Sequence, residues 1–540
     1  MHTRPRWTFG LRTLLLLLGL ALLSATTVRA AAPAPPPGPD RFTVITVDYT
    51  ATEWWMATYE RNKIVCQMVV EHEGPPTIDE VYVLCGEDVG DDWIEQDACT
   101  QPIDDCTGLY IFLVDTRLEK KEVAIALPEP TVWLSLEDCD PVSSLATSVC
   151  ETIPKLLLIG QEPLANQVIT RVEGRLNNEP FECEGETCIV ELQPTDENGV
   201  LVEFWAYSSY GDSTVKLTAQ VRVTEADFGN PDHPSWFVDV LSSQWTGQPL
   251  ASCAETWDVF PPVGGPPGWL STPNDIRDLA STVPYSYLAE NLIRQGVVDA
   301  SSCPLGGYLP GGAGVNSCGL EAARPAVTEW QNRFDSLILA TAQETGVPAQ
   351  MLKNLFARES QFWPGVVSPT GDTGLGQLTE QGADTTLLWN PSFFDSFCPL
   401  VLSQDTCDQG YLHIEPEMQE LLRYALVNSV DATCADCPLG LDLNRAEYSV
   451  GVFAHTLMAN CEQAGMVVRN YTDASPGELI TYEDMWKFTL VNYNAGGGCL
   501  ASALQDASDA GQPLTWDAVS QYLAPACRGA IDYVEDISGN

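Results

Sequence analysis

Phe356-Ala-Arg-Glu359-Ser360-Gln-Phe362-Trp-Pro364, followed by Ser368-Pro-Thr-Gly371-Asp-Thr-Gly374-Leu-Gly-Gln377-Leu, is the stretch on which the reading of this chain turns. Gly346 ends one helical segment. Pro348 suits the first turn of the next, where its missing N–H costs nothing. Leu352, Leu355, Phe356 and Glu359 then fall at i, i+3, i+4 and i+7, one face of an α-helix. An ionised, unpaired glutamate on an apolar stripe is costly, so the group tends to hold its proton. A carboxylic acid still protonated near neutrality is what general acid catalysis needs. The competing reading is structural, with Glu359 neutralised by Arg358 or a distant arginine, or placed at the rim of the face.

Glu359-Ser360, the turn at Pro364, Ser368, Gly371, Gly374-Leu375, Gln377 and Ala383 match without gaps the first signature of soluble lytic transglycosylases. These are lysozyme-like enzymes that cleave peptidoglycan glycan strands. Asn492-Tyr493-Asn494-Ala495-Gly496 resembles the second signature of that family, a Tyr-Asn-Ala-Gly run. Two signatures in the right order, far apart in the chain, are more specific than either alone. The resemblance covers roughly residues 327–498 and implies a helical lysozyme-like domain.

It also implies roles. Glu359 would protonate the oxygen bridging N-acetylmuramic acid and N-acetylglucosamine. Ionised, it would then take the proton of the muramyl C6 hydroxyl as a 1,6-anhydro ring closes. Ser360 would support the turn, and Ser368 would hydrogen-bond near the acetamido or glycosidic group. Gly374 and Gln377 would line the cleft, Tyr493 would stand against Glu359, and Asn494 would fix its loop. Three departures stand out: Asp372 for the usual Ala, Gly376 for Met, and Thr379-Glu380 for Met-Pro. Asp372 and Asp384 add carboxylates near the cleft, which keeps a goose-lysozyme-like hydrolase as an alternative. Gly376 is expected to loosen or reshape the saccharide site. A third reading is a surface protein that binds glycan without cutting it; joint retention of Glu359, Ser368, Gln377, Tyr493 and Asn494 argues against it.

The rest of the chain reads as an exported α+β multidomain protein, with β-rich and β-sandwich modules ahead of a mainly α lysozyme-like domain. Residues 1–30 have the pattern of a signal peptide: Arg4, Arg6 and Arg12, an apolar run from Leu14 to Leu23, and a cleavage site near Ala30. No stretch is long enough to cross a bilayer comfortably, so the expected location is secreted or cell-envelope. Residues 31–41 form a Pro-rich linker. Residues 42–159 read as β-rich, with candidate strands at Phe42–Tyr49, Lys63–Val70, Val81–Cys85 and Leu109–Val114, and breaks at Gly74-Pro-Pro and Gly90-Asp-Asp. Residues 160–230 read as a β-sandwich, and Gly199–Asp212 resembles strands of bacterial immunoglobulin-like surface modules. A glycan-binding spacer and a passive spacer are both open for these modules. Residues 231–324 are a transitional segment with short helices, and 325–540 the lysozyme-like domain. Within it, helical stripes run through Val327–Ile338, Met418–Ala425, Ala446–Cys461 and Tyr482–Tyr493. Residues 391–437 read as a disulfide-pinned insertion.

Eighteen cysteines point to disulfides outside the cell, eight of them up to Cys188 and ten from Cys253 onward. Cys434-Ala-Asp-Cys437 has no companion CxxC and only five histidines stand in the chain, so a disulfide is expected there rather than zinc. No metal and no cofactor are expected. A net charge of −48 excludes a nucleic-acid partner. The partner the resemblance implies is the peptidoglycan glycan strand, recognised by hydrogen bonds and by stacking on some of the fifteen tryptophans.

Overall fold

The computed structural model describes residues 41–95, 107–137, 139, 148–226, 235–366, 368, 371–472 and 474–539. The expected signal peptide and all but the last residue of the Pro-rich linker lie outside these. Strands occupy the region from Phe42 to Leu241, and helices dominate from Ser252 to Ser538. Among the described residues the chain forms two compact units. One is taken from Gly38–Pro130 with Glu162–Val168, the other from Thr131–Gln161 with Ile169–Asn540.

The first unit is an antiparallel sheet in the order β2-β1-β3, from β1 (Phe42–Thr58), β2 (Ile64–Val70) and β3 (Leu109–Ala126). Met56, Met68, Val81 and Leu109 form its small core, with Trp54 packed against them. The Cys66–Cys85 disulfide ties β2 to α1 (Ile78–Cys85). Val81–Cys85 is therefore helical, contrary to the strand its β-branched residues suggest. Thr77 and Glu80 form a reciprocal capping box that satisfies two donors at the helix start, and only Val81 of the run is fully buried. Gly90-Asp-Asp likewise lies inside α2 (Glu87–Glu95) rather than in a break. His72 is accounted for by Glu80, 3.0 Å from its Nε2.

In the second unit, two sheets share one core. A six-stranded sheet has the order β5-β12-β11-β10-β7-β8, and a three-stranded sheet the order β4-β6-β9. Their strands are β4 (Thr131–Glu137), β5 (Ser148–Cys150), β6 (Lys155–Gln161), β7 (Ile169–Leu176), β8 (Glu179–Glu184), β9 (Thr187–Glu191), β10 (Val200–Ser208), β11 (Leu217–Ala226) and β12 (Ser235–Leu241). Val132 and Leu158 from the small sheet meet Phe204, Val221 and Val238 from the large one, as alternating inward residues of a sandwich should. The strands begin before residue 160 and end after 230.

The helical part has a single core running from Leu241 to Ile537, to which Trp257, Trp269 and Leu288 contribute. Its longer helices are α3 (Ser286–Arg294), α4 (Ser317–Gln331), α5 (Asp335–Thr345), α6 (Ala349–Ser360), α7 (Glu380–Trp389), α8 (Pro416–Val430), α9 (Leu443–Thr472), α10 (Tyr482–Ala495), α11 (Gly497–Asp509) and α12 (Gly529–Ser538). α9 is the axis of the bundle: Ala446, Val450, Phe453, Leu457 and Cys461 are wholly buried along it. Cys461 is bonded to Cys253 across 208 residues of sequence.

Two stripes differ from the sequence reading. Val327 and Trp330 belong to α4 while Leu337 and Ile338 belong to α5, because the chain breaks at Asn332–Phe334 and Asn332 turns its amide back to Ser281 O. On α8 the buried line is Leu422, Leu426 and Val430, whereas Met418 and Leu421 are exposed. The run of apolar residues there is wide enough to allow either face. Every described cysteine is paired and the pairs respect the division near residue 240; Cys398–Cys407 and Cys434–Cys437 close small loops in 391–437.

What fixes α6 in the bundle is a buried charge. Lys353 is 2% exposed and its ammonium donates to Asp335 Oδ1 at 2.7 Å, Leu279 O at 2.6 Å and Asn332 Oδ1 at 2.8 Å. Burial pulls the lysine below its ordinary range and pushes the aspartate up, each opposed by the other's charge. The Lys353→Met variant leaves Asp335 buried without its counter-charge. It is expected to lose about 3–5 kcal/mol of stability, much of it recovered when Asp335→Asn is added. Chemical denaturation of the single and double variants checks this.

Candidate active site

Helix α6 delivers Glu359 in its last turn and then stops. Gln361 and Phe362 both take left-handed backbone conformations, φ 48° and 63°, which turn the chain sharply after Ser360. Consecutive left-handed residues other than glycine are uncommon and need surrounding structure to hold them. Phe362 is wholly buried, its carbonyl accepts from Trp330 Nε1 at 2.9 Å, and Trp330 stacks on Trp363 at 5.3 Å.

Glu359 is half-buried, and loss of hydration pushes its carboxyl up to about 7. The Tyr533 hydroxyl, which donates to Oε1 at 2.5 Å, and the charge of Arg358 oppose that rise, while the Asp372 carboxylate adds to it. Arg358 is not the ion-pair partner of Glu359. It turns outward to Asp536 at 2.8 Å and lies over the Tyr533 ring.

Tyr533 is absent from the sequence reading. It reaches Glu359 because α12 is fastened along α6: Asn354 Nδ2 donates to Ile537 O at 2.8 Å, and Asp536 takes Arg358. Ala530, Tyr533, Val534 and Ile537 are buried at helical spacing, so a docking face was visible in the sequence. Its partner, 174 residues away, was not.

The loop after α6 is a tight hairpin in which Thr373 and Leu378 exchange backbone hydrogen bonds at 3.2 and 2.8 Å. Gly374 has φ 78°, and a Cβ there would stand 2.7 Å from Val430 O, so α8 presses on the loop where only glycine fits. Gly376 does not loosen the site as its missing side chain suggested. The Phe453 ring occupies that space, 2.5 Å from where a Cβ would be, and itself packs edge-on against Phe356. Tyr493, at the end of α10, donates its hydroxyl to Gly376 O at 2.6 Å rather than to Glu359. Burial first, and then the nearby charges of Glu359 and Asp372, nonetheless hold its own proton well above the ordinary tyrosine range.

The remaining candidates have structural contacts of their own. Ser360 is buried and its hydroxyl donates back to Phe356 O at 3.2 Å. Ser368 Oγ accepts from Asp372 N at 3.1 Å, which sets the turn carrying that carboxylate. Gln377 is left-handed and its amide donates to Gly374 O at 2.9 Å and Val366 O at 3.2 Å. Asn494 is exposed and lines, with Gln377 and Tyr493, a pocket of about 200 Å³. Glu359 is not among the residues lining that pocket; Tyr493 is what the two places share. Asp384 lies apart from the carboxyl group, engaged by Tyr411 at 2.6 Å and Arg423 at 3.3 Å. Among the described residues no three His, Cys, Asp or Glu gather as a metal site, and no helix is long and apolar enough to cross a membrane.

The structure thus places Tyr533, Tyr493 and Asp372 within hydrogen-bonding or electrostatic reach of the Glu359 carboxyl group, while Gln377 and Asn494 line the neighbouring pocket that Tyr493 borders. No curated protein and no solved structure matches the chain. Residues 336–390, which hold Glu359, Ser360, Ser368, Gly374 and Gln377 but stop short of Tyr493, Asn494 and Tyr533, match the family described as Transglycosylase SLT domain, and this segment is of the soluble lytic transglycosylase type.

Proposed function

We propose that the protein cleaves the β-1,4 bond between N-acetylmuramic acid and N-acetylglucosamine in peptidoglycan, outside the cytoplasm, and leaves a 1,6-anhydromuramyl end. The observation that carries this reading is the Glu359 carboxyl held up to about 7 by burial, in a segment of the transglycosylase type. Such a group is protonated often enough at neutral pH to donate to the leaving oxygen, and basic enough afterward to take a proton from the C6 hydroxyl. Because the attacking oxygen belongs to the sugar itself, the reaction needs neither an ordered water nor a second carboxylate as nucleophile. Tyr533 steadies the ionised state that exists between the two proton transfers. Tyr493 holds the 374–377 loop by its bond to Gly376 O, and Ser360, Ser368, Gly374, Gln377 and Asn494 shape the saccharide cleft.

One observation favours a second outcome. Asp372 acts on both Glu359 and Tyr493, so a second carboxylate stands within electrostatic reach of the acid. In a hydrolase that group would hold an attacking water.

Mass spectrometry of a peptidoglycan digest separates the two: anhydro-ended muropeptides are expected, and products heavier by one water would make the enzyme a hydrolase. Glu359→Gln is expected to lower kcat by about 10²–10⁴-fold. Asp372→Asn should leave cleavage within about tenfold of wild type if the aspartate acts only through its charge, because such a substitution changes one field and no bond. Loss as deep as that of Glu359→Gln would make Asp372 the water-holding base.

The pH dependence has a fixed sign. The acid form starts the reaction, so activity falls as pH rises through about 7. The Tyr533 bond lowers that value, so Tyr533→Phe should move the alkaline limb to higher pH as well as reduce kcat. Stability follows the same proton. The folded state keeps it above the ordinary glutamate pKa of about 4.3, so this group's contribution declines as pH rises from about 4.3 to about 7. Glu359→Gln should therefore equal wild type in thermal stability in acid and exceed it above neutrality.

A further inference from the structure

Strand β3 closes one side of the first unit's sheet, and among the described residues its outer edge pairs with no other strand. That edge is 18 residues long. A long open edge is a template for another strand. The sheet is also uneven along its length. β2 joins β1 only from Thr52 to Ala57, so Phe42–Ala51 and Arg117–Ala126 form a ribbon of two strands. At its far end both faces meet solvent: Phe42 and Val44 are exposed on one, and Ile45, Val123 and Ile125 on the other. Two strands without a covered face are marginal on their own.

The sequence of β3 is complementary to its own reverse about Leu118. With Leu118 opposite Leu118 of a second copy, Arg117 faces Glu119 and Asp115 faces Lys121, each pair occurring twice by symmetry. Thr116 faces Lys120. Opposite charges directly across a strand pair stabilise it, and like charges do the reverse. Neighbouring registers lack this match. Centring on Arg117 sets Asp115 against Glu119, and centring on Glu119 sets Arg117 against Lys121. Leu118 itself is 80% exposed in the single chain. Within one chain Arg117 already lies beside Glu53, Asp115 and Glu119, and Lys121 beside Glu71, on an open surface that a second strand's charges can join.

We propose that two copies of this chain pair antiparallel through β3, about a two-fold axis at Leu118, into one continuous sheet in the order β2-β1-β3-β3-β1-β2. The two-strand end of each copy then lies against the three-strand end of the other, so neither ribbon stands alone. Lysines and bulges on an edge commonly block such pairing. Here Lys120 and Lys121 meet a threonine and a carboxylate, so they select the register. The bulge at Val114 limits the straight run to Asp115–Lys121. Past it, Val123 and Ile125 of one copy come alongside the Tyr110–Leu113 stretch of the other, apolar against apolar. The contact is isologous and closes on itself, which uses up the long edge without building a fibre.

Sedimentation velocity of the full chain tests this at about 0.15 M salt, where a Debye length of about 8 Å screens the mutual repulsion of two chains at −48 but not charges in contact. An edge contact belongs to the weak class, so monomer is expected at about 1 μM and dimer at about 100 μM. Leu118→Lys changes an exposed position, sets two cations on the axis, and should weaken the dimer about tenfold or more. Arg117→Glu and Glu119→Arg each set like charges face to face and should stay monomeric alone. Mixed together they restore opposite charges at both places, and a mixed dimer is expected. A chain that is monomeric at about 100 μM overturns the proposal and leaves the edge to a strand of another protein. A dimer untouched by Leu118→Lys, or a mixture no more associated than its two parts, overturns it as well.

Discussion

A partly buried carboxyl group, with a tyrosine hydroxyl on one of its oxygens, is the constraint around which the helical part is built. Burial and the hydrogen bond pull in opposite directions, and burial prevails, leaving Glu359 near 7. That balance depends on α6 and α12 staying in register, which Asn354 and the Arg358–Asp536 pair enforce. The position of α6 depends in turn on Lys353, whose buried ammonium binds it to α5 and to the 276–279 turn. A misplaced α12 would leave the acid without its donor even if every residue of the 356–378 stretch were intact.

The loop facing Glu359 is shaped from behind. Val430 of α8 approaches Gly374, Phe453 of α9 fills the place left by Gly376, and Tyr493 of α10 bonds the Gly376 carbonyl. Three helices thus converge on a few residues of backbone. The segment 391–437, closed by its two short disulfides, supplies α8, and so contributes to the loop's support as well as to the surface.

Local signals in the sequence carried a good deal of this. The left-handed Gly346, the start at Pro348, the buried stripe of α9 and the glycine stop after α10 are all decided by neighbours a few residues away, and they are found where the periodicity places them. What escaped is what depends on distant partners. Tyr533 gains meaning only when α12 docks on α6; Gly376 looks like a void until Phe453 is seen to fill it. On α8, Met418, Leu421 and Leu422 offer two apolar faces, and packing alone chooses between them. Val81–Cys85 shows the reverse, a β-branched run overruled by the capping box of Thr77 and Glu80 just ahead of it.

The charge of the chain bears on how substrate is held. With 74 acidic and 26 basic side chains, the protein gains no general attraction for an anionic wall polymer, so long-range steering contributes nothing to encounter. Affinity must then come from short-range contacts that ignore net charge: hydrogen bonds and stacking against sugar faces. The pocket beside Tyr493, whose lining carries no charged residue, is suited to such contacts. A carboxyl group held up to about 7 carries less negative charge at neutral pH than an ordinary glutamate would. In a protein this acidic, the partial burial that raises Glu359 thus also lowers the charge at the one place where the two tyrosines and Asp372 act on it, and on the reading proposed above that serves binding as well as chemistry.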